Sequence, residues 1–213
     1  MTRPEISFTV SELSSRVNSA TISDLLYVNK AIKFVQTTES YITIPKLDLS
    51  STSILVYTDA SFNNLTDGHS QGGQIIVLLD RNGSCSPISW SSNKIKRVLK
   101  STLAAETMSF TEGTDSAYFT RKLVIEILKP TCNDYPVKCL TDSKSLFETV
   151  GTSHQISDKR LRVEVSAIRQ MVENNEITVD WVPKQHQLSD VLTKKGACPL
   201  SLMKTLQGAS IQL

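Results

Sequence analysis

Three carboxylic acids stand where apolar residues would be expected: Asp59 ends an apolar run that starts at Ile54, Glu106 falls on the stripe of Leu103 and Phe110, and Asp142 closes the run from Val137. A fourth, Asp190, follows the turn opened by Pro183. An ionised carboxylate buried by itself is costly, and acids gathered at one place also repel one another. A hard divalent cation with oxygen ligands relieves both penalties. Four acids in a chain with only three histidines suit Mg²⁺ better than zinc, with Mn²⁺ an expected substitute. Two such ions, about 4 Å apart, can activate a water and stabilise the leaving oxygen of a phosphodiester during in-line attack.

That chemistry requires elements that bring the acids together. Ile54–Asp59 reads as a nearly continuous apolar strand, followed by a turn rich in Asn, Asp and Gly and then by Gln74–Leu79. Asp80-Arg81-Asn82-Gly83 is a hairpin connection into Ser86–Ser91, so three strands form an antiparallel meander. A long helix follows, capped by Ser101 or Thr102, with Leu103, Phe110, Ala117, Val124 and Leu128 on one stripe, Gly113 weakening its middle and Pro130 ending it. Glu106 lies three residues after Leu103 and four before Phe110, which points it at the sheet. Val137–Asp142 is a strand, Lys144–Val150 a short helix closed by Gly151, and Leu161, Val165, Ile168 and Val172 mark another helix. Ile177, Val179 and Trp181 alternate as a last strand, and Leu188–Thr193 begins a final helix. The order β β β α β α α β α predicts an α/β fold, a mixed five-stranded sheet flanked by helices.

The first fifty residues read differently. Val10, Leu13 and Val17, then Leu25, Val28, Ile32 and Val35 after a Thr21 or Ser23 cap, predict two helices as a small N-terminal appendage. Tyr41–Ile44 reads as a short strand and Pro45–Ser53 as a linker. The expected division is an appendage over 1–50, a domain over 54–196 and a tail over 197–213.

Each candidate also has a plainer reading. Asp59 and Asp142 taken singly are as well explained as turn or cap residues, and Asp190 alone favours a cap. Lys94, Lys96, Arg97 and Lys100, and farther on Lys159, Arg160 and Arg162, can grip phosphates or simply form solvated faces. Ser143 is a candidate substrate contact by its adjacency to Asp142. His186, four residues before Asp190, is either a solvated loop residue or a proton-transfer group. His69 and His154 read as surface residues, and Trp90 and Trp181 as core packing rather than stacking platforms.

The 213 residues, 39% hydrophobic, are enough for a real core, and a formal charge of +2 means that nucleic-acid binding would rest on local basic patches. Cys85, Cys132, Cys139 and Cys198 show no metal-finger spacing and read as reduced thiols. No apolar stretch is long enough for a membrane span, and an intracellular location is expected. The triplets Asn64-Leu65-Thr66 and Asn82-Gly83-Ser84 read as turns.

Tyr57-Thr58-Asp59-Ala60-Ser61, Trp90-Ser91-Ser92, Leu103-Ala104-Ala105-Glu106, Thr141-Asp142-Ser143-Lys144-Ser145 and Leu188-Ser189-Asp190-Val191-Leu192-Thr193-Lys194 resemble, in this order, the motifs of the RNase H domain of Ty1/copia-type retrotransposon polyproteins. The likeness runs from about Val56 to Lys195, and the opening Thr2-Arg3-Pro4-Glu5-Ile6 with its helices is similar to the segment that joins reverse transcriptase to RNase H. The resemblance implies an RNase H-like fold and hydrolysis of the RNA strand of RNA/DNA hybrids, with Asp59, Glu106, Asp142 and Asp190 as metal-binding acids. It implies as partner the upstream reverse transcriptase of the same polyprotein, and as location the cytoplasm, including virus-like particles, with the nucleus an open alternative. No Tyr/Phe-x-Asp-Asp polymerase pair occurs. Two rival readings remain: an inactive or adopted RNase H-like remnant that binds nucleic acid or protein, and another phosphoryl transfer on the same fold.

Overall fold

The computed structural model describes residues 3–129, 134–152 and 156–211, so the expectations placed on Pro130, Cys132 and His154 lie outside the described residues. Its centre is one sheet with strand order β3-β2-β1-β4-β5, formed by β1 (Ser53–Ser61), β2 (Ser70–Leu79), β3 (Cys85–Ile95), β4 (Val137–Thr141) and β5 (Ile177–Trp181). The first three strands make the antiparallel meander, whereas β4 runs parallel to β1 and β5 parallel to β4. As the central strand, β1 is covered on both sides, which is why its sequence is apolar without alternation.

The strand's two-residue period divides that run between two cores. Ile54 and Val56 join Ile76, Phe110, Cys139 and Ile168 beneath α3 (Thr102–Leu128) and α5 (Lys159–Glu173). Leu55 and Tyr57 join Val77, Leu140, Leu192 and Leu206 on the opposite face, beneath α6 (Leu200–Gly208). The short α4 (Lys144–Gly151) connects β4 to α5. Cys85, Cys139 and Cys198 are free thiols.

Gly113 reverses its expected role. It sits where α3 crosses the central strands, and a Cβ built there would lie 3.0 Å from Gln74 Oε1 and closer still to Thr58 Cγ2. The glycine therefore permits a close helix-to-sheet approach rather than marking a weak turn of helix.

Four other expectations are corrected. Tyr41–Ile44 forms no strand; instead Thr43 donates its backbone N–H to Leu206 O at 3.0 Å and its hydroxyl to Gln207 O at 2.7 Å, so the segment is tied to the end of α6. Leu188–Thr193 starts no α-helix but contains a 3₁₀ turn at Asp190–Leu192. Its hydroxyls bond locally, Ser189 to Gln187 Oε1 and Thr193 to Asp190 O, and compete with a helical ladder. The helix comes later as α6, within the segment read as a tail.

The third correction concerns α1 (Ser7–Ser14) and α2 (Ile22–Thr37). Their expected apolar stripes do not face a core: Val17, Leu25 and Ile32 are exposed, while Phe8, Glu12 and Asp24 are buried. Arg16 makes this possible by pairing with both Glu12 and Asp24, and Asp24 also completes a capping box with Thr21. The fourth is Trp181, which is 37% exposed because it ends the edge strand β5; Trp90 packs partly buried against the core.

Gly113→Ala tests the close approach. Helix propensity alone would stabilise the variant by about 1 kcal/mol, whereas overpacking against β1 and β2 should destabilise it by about 1–3 kcal/mol. Urea unfolding should show the loss, and a gain in stability would refute the packing account.

Candidate active site

The parallel pairing of β1 with β4 places Thr58 opposite Thr141. The next residue of each strand, Asp59 and Asp142, therefore emerges at the same end of the sheet, side by side. Helix α3 supplies the third acid from above. Ser101 caps its first turn, and Ser109 fixes its height by donating its hydroxyl to Asp59 O at 2.8 Å. One turn earlier, Glu106 points into the same corner. Ligand oxygens of Asp59, Glu106 and Asp142 all lie within 4.8 Å of one another.

Asp59 is 1% exposed and Glu106 7% exposed, so neither charge is relieved by water. Burial pushes the Asp59 carboxyl up to about 6 against the pull of Lys194 and of the Thr193 hydroxyl, with the charges of Asp142 and Asp190 adding to the rise. Burial first, and then repulsion from Asp59 and Asp142, pushes Glu106 up to about 9. Oxygen donors crowded into a dry corner with excess negative charge fit a hard divalent cation. The donor set contains no thiol or imidazole, which suits Mg²⁺ or Mn²⁺.

Asp190 stands next to this trio rather than within it. Its Oδ1 pairs with Lys194 Nζ, and the same ammonium lies 3.3 Å from Asp59 Oδ2. The Thr193 hydroxyl also donates to Asp59 Oδ2. This loop reaches the acids because β2 has a glycine beneath it: a Cβ at Gly73 would fall 2.7 Å from both Leu192 Cβ and Thr193 Cγ2.

The remaining sequence candidates are dispersed. Ser143 caps α4, its hydroxyl accepting from Leu146 N–H. Lys94 pairs with Asp67, and Lys96 is exposed. Arg97 and Lys100 line a crevice of about 330 Å³ with Lys159 and Arg160, which unites two basic clusters far apart in sequence. His186 is exposed on the 3₁₀ turn Lys184–His186. The side chain that reaches the acids from this loop is the buried Gln187, which donates to Thr58 O at 2.9 Å and to Asp142 Oδ1 at 3.5 Å.

Gln187, Thr193 and Lys194 are not conspicuous one by one in the sequence, although Thr193 and Lys194 lie in the last of the resembling motifs. The usable signal is local: polar residues interleaved with Leu188, Val191 and Leu192, all of which are buried. Trp181 is a further neighbour, donating its indole N–H to Asp142 O at 3.0 Å.

A meander of three strands extended by two parallel strands, with acids on the central strand, on the helix crossing it and at the end of the next parallel strand, is the mixed five-stranded α/β arrangement expected from the sequence. No family model matches the chain. It is similar to the retrovirus-related Pol polyproteins from transposons RE1 and RE2 of Arabidopsis thaliana, at 25% and 24% identity over 200 residues. The aligned region is 91% of this chain, and the chain spans 13% of the length of these relatives. The likeness to retrotransposon Pol polyproteins thus extends over nearly the whole chain, beyond the motifs alone. Solved structures that align with it include LC11-RNase H1 in complex with RNA/DNA hybrid, at 15% identity over 66% of this chain and 94% of that one with a TM-score of 0.48. Another is RNase H1 from the archaeon Halobacterium salinarum, at 14% identity over 66% and 94% with a TM-score of 0.46.

The raised carboxyls make a prediction for chelator-treated protein. Glu106 holds its proton up to about 9 when folded but releases it near its ordinary 4.5 when unfolded. Between those values the folded state binds more protons, so unfolding free energy must fall as pH rises. The urea midpoint should drop from about pH 6 to about pH 9, and Glu106→Gln should flatten that drop. An equal slope in both proteins would show that Glu106 is not the group responsible.

Proposed function

We propose that this chain is a ribonuclease H that hydrolyses the RNA strand of RNA/DNA hybrids, acting inside the cell as part of a retrotransposon polyprotein beside an upstream reverse transcriptase. The observation that carries the reading is the convergence of Asp59, Glu106 and Asp142 oxygens within 4.8 Å at one dry sheet end. The residues fit a site for two Mg²⁺ ions, with Asp59, Glu106 and Asp142 as the principal ligands and Asp190 at the edge. When bound, such ions generate the attacking hydroxide and stabilise the leaving oxygen.

The chain's own residues prepare that site. Ser109 and Thr193 hold Asp59 from its backbone and its carboxylate sides, and Gln187 and Trp181 hold Asp142, Gln187 at the carboxylate and Trp181 at the backbone. With these groups anchored, the acids need little rearrangement on loading, which is the preorganisation that electrostatic catalysis requires. Substrate grip is assigned to the basic crevice of Arg97, Lys100, Lys159 and Arg160, where a nucleic-acid backbone can run between the β3–α3 loop and the start of α5. Lys94 is held by Asp67 and Lys96 stands outside this crevice, so both are assigned a peripheral share; Arg97 is paired with Glu164 at 3.0 Å and grips a phosphate only by leaving that carboxylate.

The purified chain with Mg²⁺ should cut the labelled RNA strand of a hybrid and leave DNA duplex intact. Asp142→Asn should lower the rate by more than about a hundredfold, since even supporting residues around a metal cost up to that much. An uncut hybrid with the unmutated chain would favour the inactive-remnant reading, and cleavage of DNA alone would favour another phosphoryl transfer.

Replacing Arg97 and Lys100 together with Gln should weaken hybrid binding and reduce the slope of log affinity against log salt by about 1–2, since each phosphate no longer neutralised by the protein takes roughly one unit or slightly less from that slope. An unchanged slope would remove the crevice from the binding path.

A further inference from the structure

Lys194 is the one basic side chain that enters the acid cluster among the described residues. Its ammonium pairs with Asp190 Oδ1 and stands 3.3 Å from Asp59 Oδ2, with two thirds of the side chain shielded from solvent at 34% exposure. Among the described residues Lys194 is the only cation paired with Asp59, Glu106 or Asp142, and its charge acts on Glu106 as well. The compensation is therefore uneven: a single ammonium, held on the side facing Asp190, offsets three acids that converge on one another.

We propose that Lys194 is a built-in cation that holds Asp59 and Asp190 in place of a second divalent ion, so that the free protein holds one divalent ion tightly and admits a second only when Lys194 swings aside. The inference rests on the nuclease reading and specifies its metal stoichiometry. A singly charged ammonium and a divalent ion about 4 Å apart repel strongly in a partly dry site, so both cannot hold the same two carboxylates. A lysine suits a displaceable role because its charge is a point on a flexible four-carbon stem, with no planar fork to lock it in one geometry.

The test is Mn²⁺ titration of the full chain, followed by electron paramagnetic resonance of free Mn²⁺ and by calorimetry, with folding of each variant checked by circular dichroism. The unmutated chain should bind one ion tightly and a second at least about tenfold more weakly. Lys194→Met, which keeps the stem and removes the charge, should bring the second affinity to within about tenfold of the first, and Lys194→Arg, which keeps the charge and adds the planar fork, should leave the second site at least as weak as in the unmutated chain. Two equally tight ions in the unmutated chain, or an unchanged second site in Lys194→Met, would overturn the assignment of Lys194 while leaving the nuclease reading intact. Absence of any Mn²⁺ binding would overturn both.

Discussion

Like charges held in a dry corner are the constraint on which this structure turns. Asp59 and Glu106 are almost fully buried, Asp142 is beside them, and nothing apolar in the fold benefits from their being there. Such an arrangement is unfavourable for folding, and the surrounding structure supplies what holds it. Two large cores on either face of the sheet stabilise the scaffold, and hydrogen bonds from Ser109, Thr193, Gln187 and Trp181 prevent the acids from turning away. Without a cation the corner lowers its charge by holding protons, Glu106 up to about 9 and Asp59 up to about 6.

Two backbone approaches make that geometry reachable. The helix can lie low over β1 only because residue 113 lacks a side chain, and the 190s loop can lie on β2 only because residue 73 lacks one. Both glycines belong to elements that carry or adjoin the clustered acids, Gly113 seven residues after Glu106 and Gly73 paired with Asp59 across the ladder. A methyl group at either position would lift an element that carries one of the acids, α3 with Glu106 or the loop with Asp190. Packing tolerance and site geometry are here one requirement.

Much of this is legible in the sequence where periodicity and burial agree. The apolar run of Ile54–Tyr57, the Phe110 and Ala117 stripe of α3 and the Val165 and Ile168 face of α5 each announce their element, and the acids are visible as interruptions of those runs. What escapes is decided by tertiary context. The stripes of α1 and α2 mislead because an Arg16–Glu12–Asp24 network turns their charged side inward. The loop from Leu188 to Thr193 has helical spacing, but its hydroxyls and Gln187 find closer partners. His186 stands out as the histidine nearest Asp190 in sequence, yet its neighbour Gln187 makes the contact, because the 3₁₀ turn directs consecutive residues to different sides.

The same loop explains why the N-terminal helices matter to the site they never enter. Lys195, the residue after Lys194, stands 4.4 Å over the Tyr27 ring of α2 and 3.9 Å from Glu12 of α1. Glu12 is 5% exposed, and one of its oxygens has no hydrogen-bond partner. Arg16 pairs with the other oxygen, and Lys195 is the cation that faces the one left without a hydrogen bond. Ser11 adds a second tie by accepting from Gln71, which also donates to Ser92, whose hydroxyl in turn holds Leu192 O. The chain of contacts therefore runs from α1 through β2 and β3 to the turn that carries Asp190, Thr193 and Lys194. The N-terminal helices thus brace the turn that carries the fourth acid, which also packs against α6, through residues more than 160 positions earlier in the sequence.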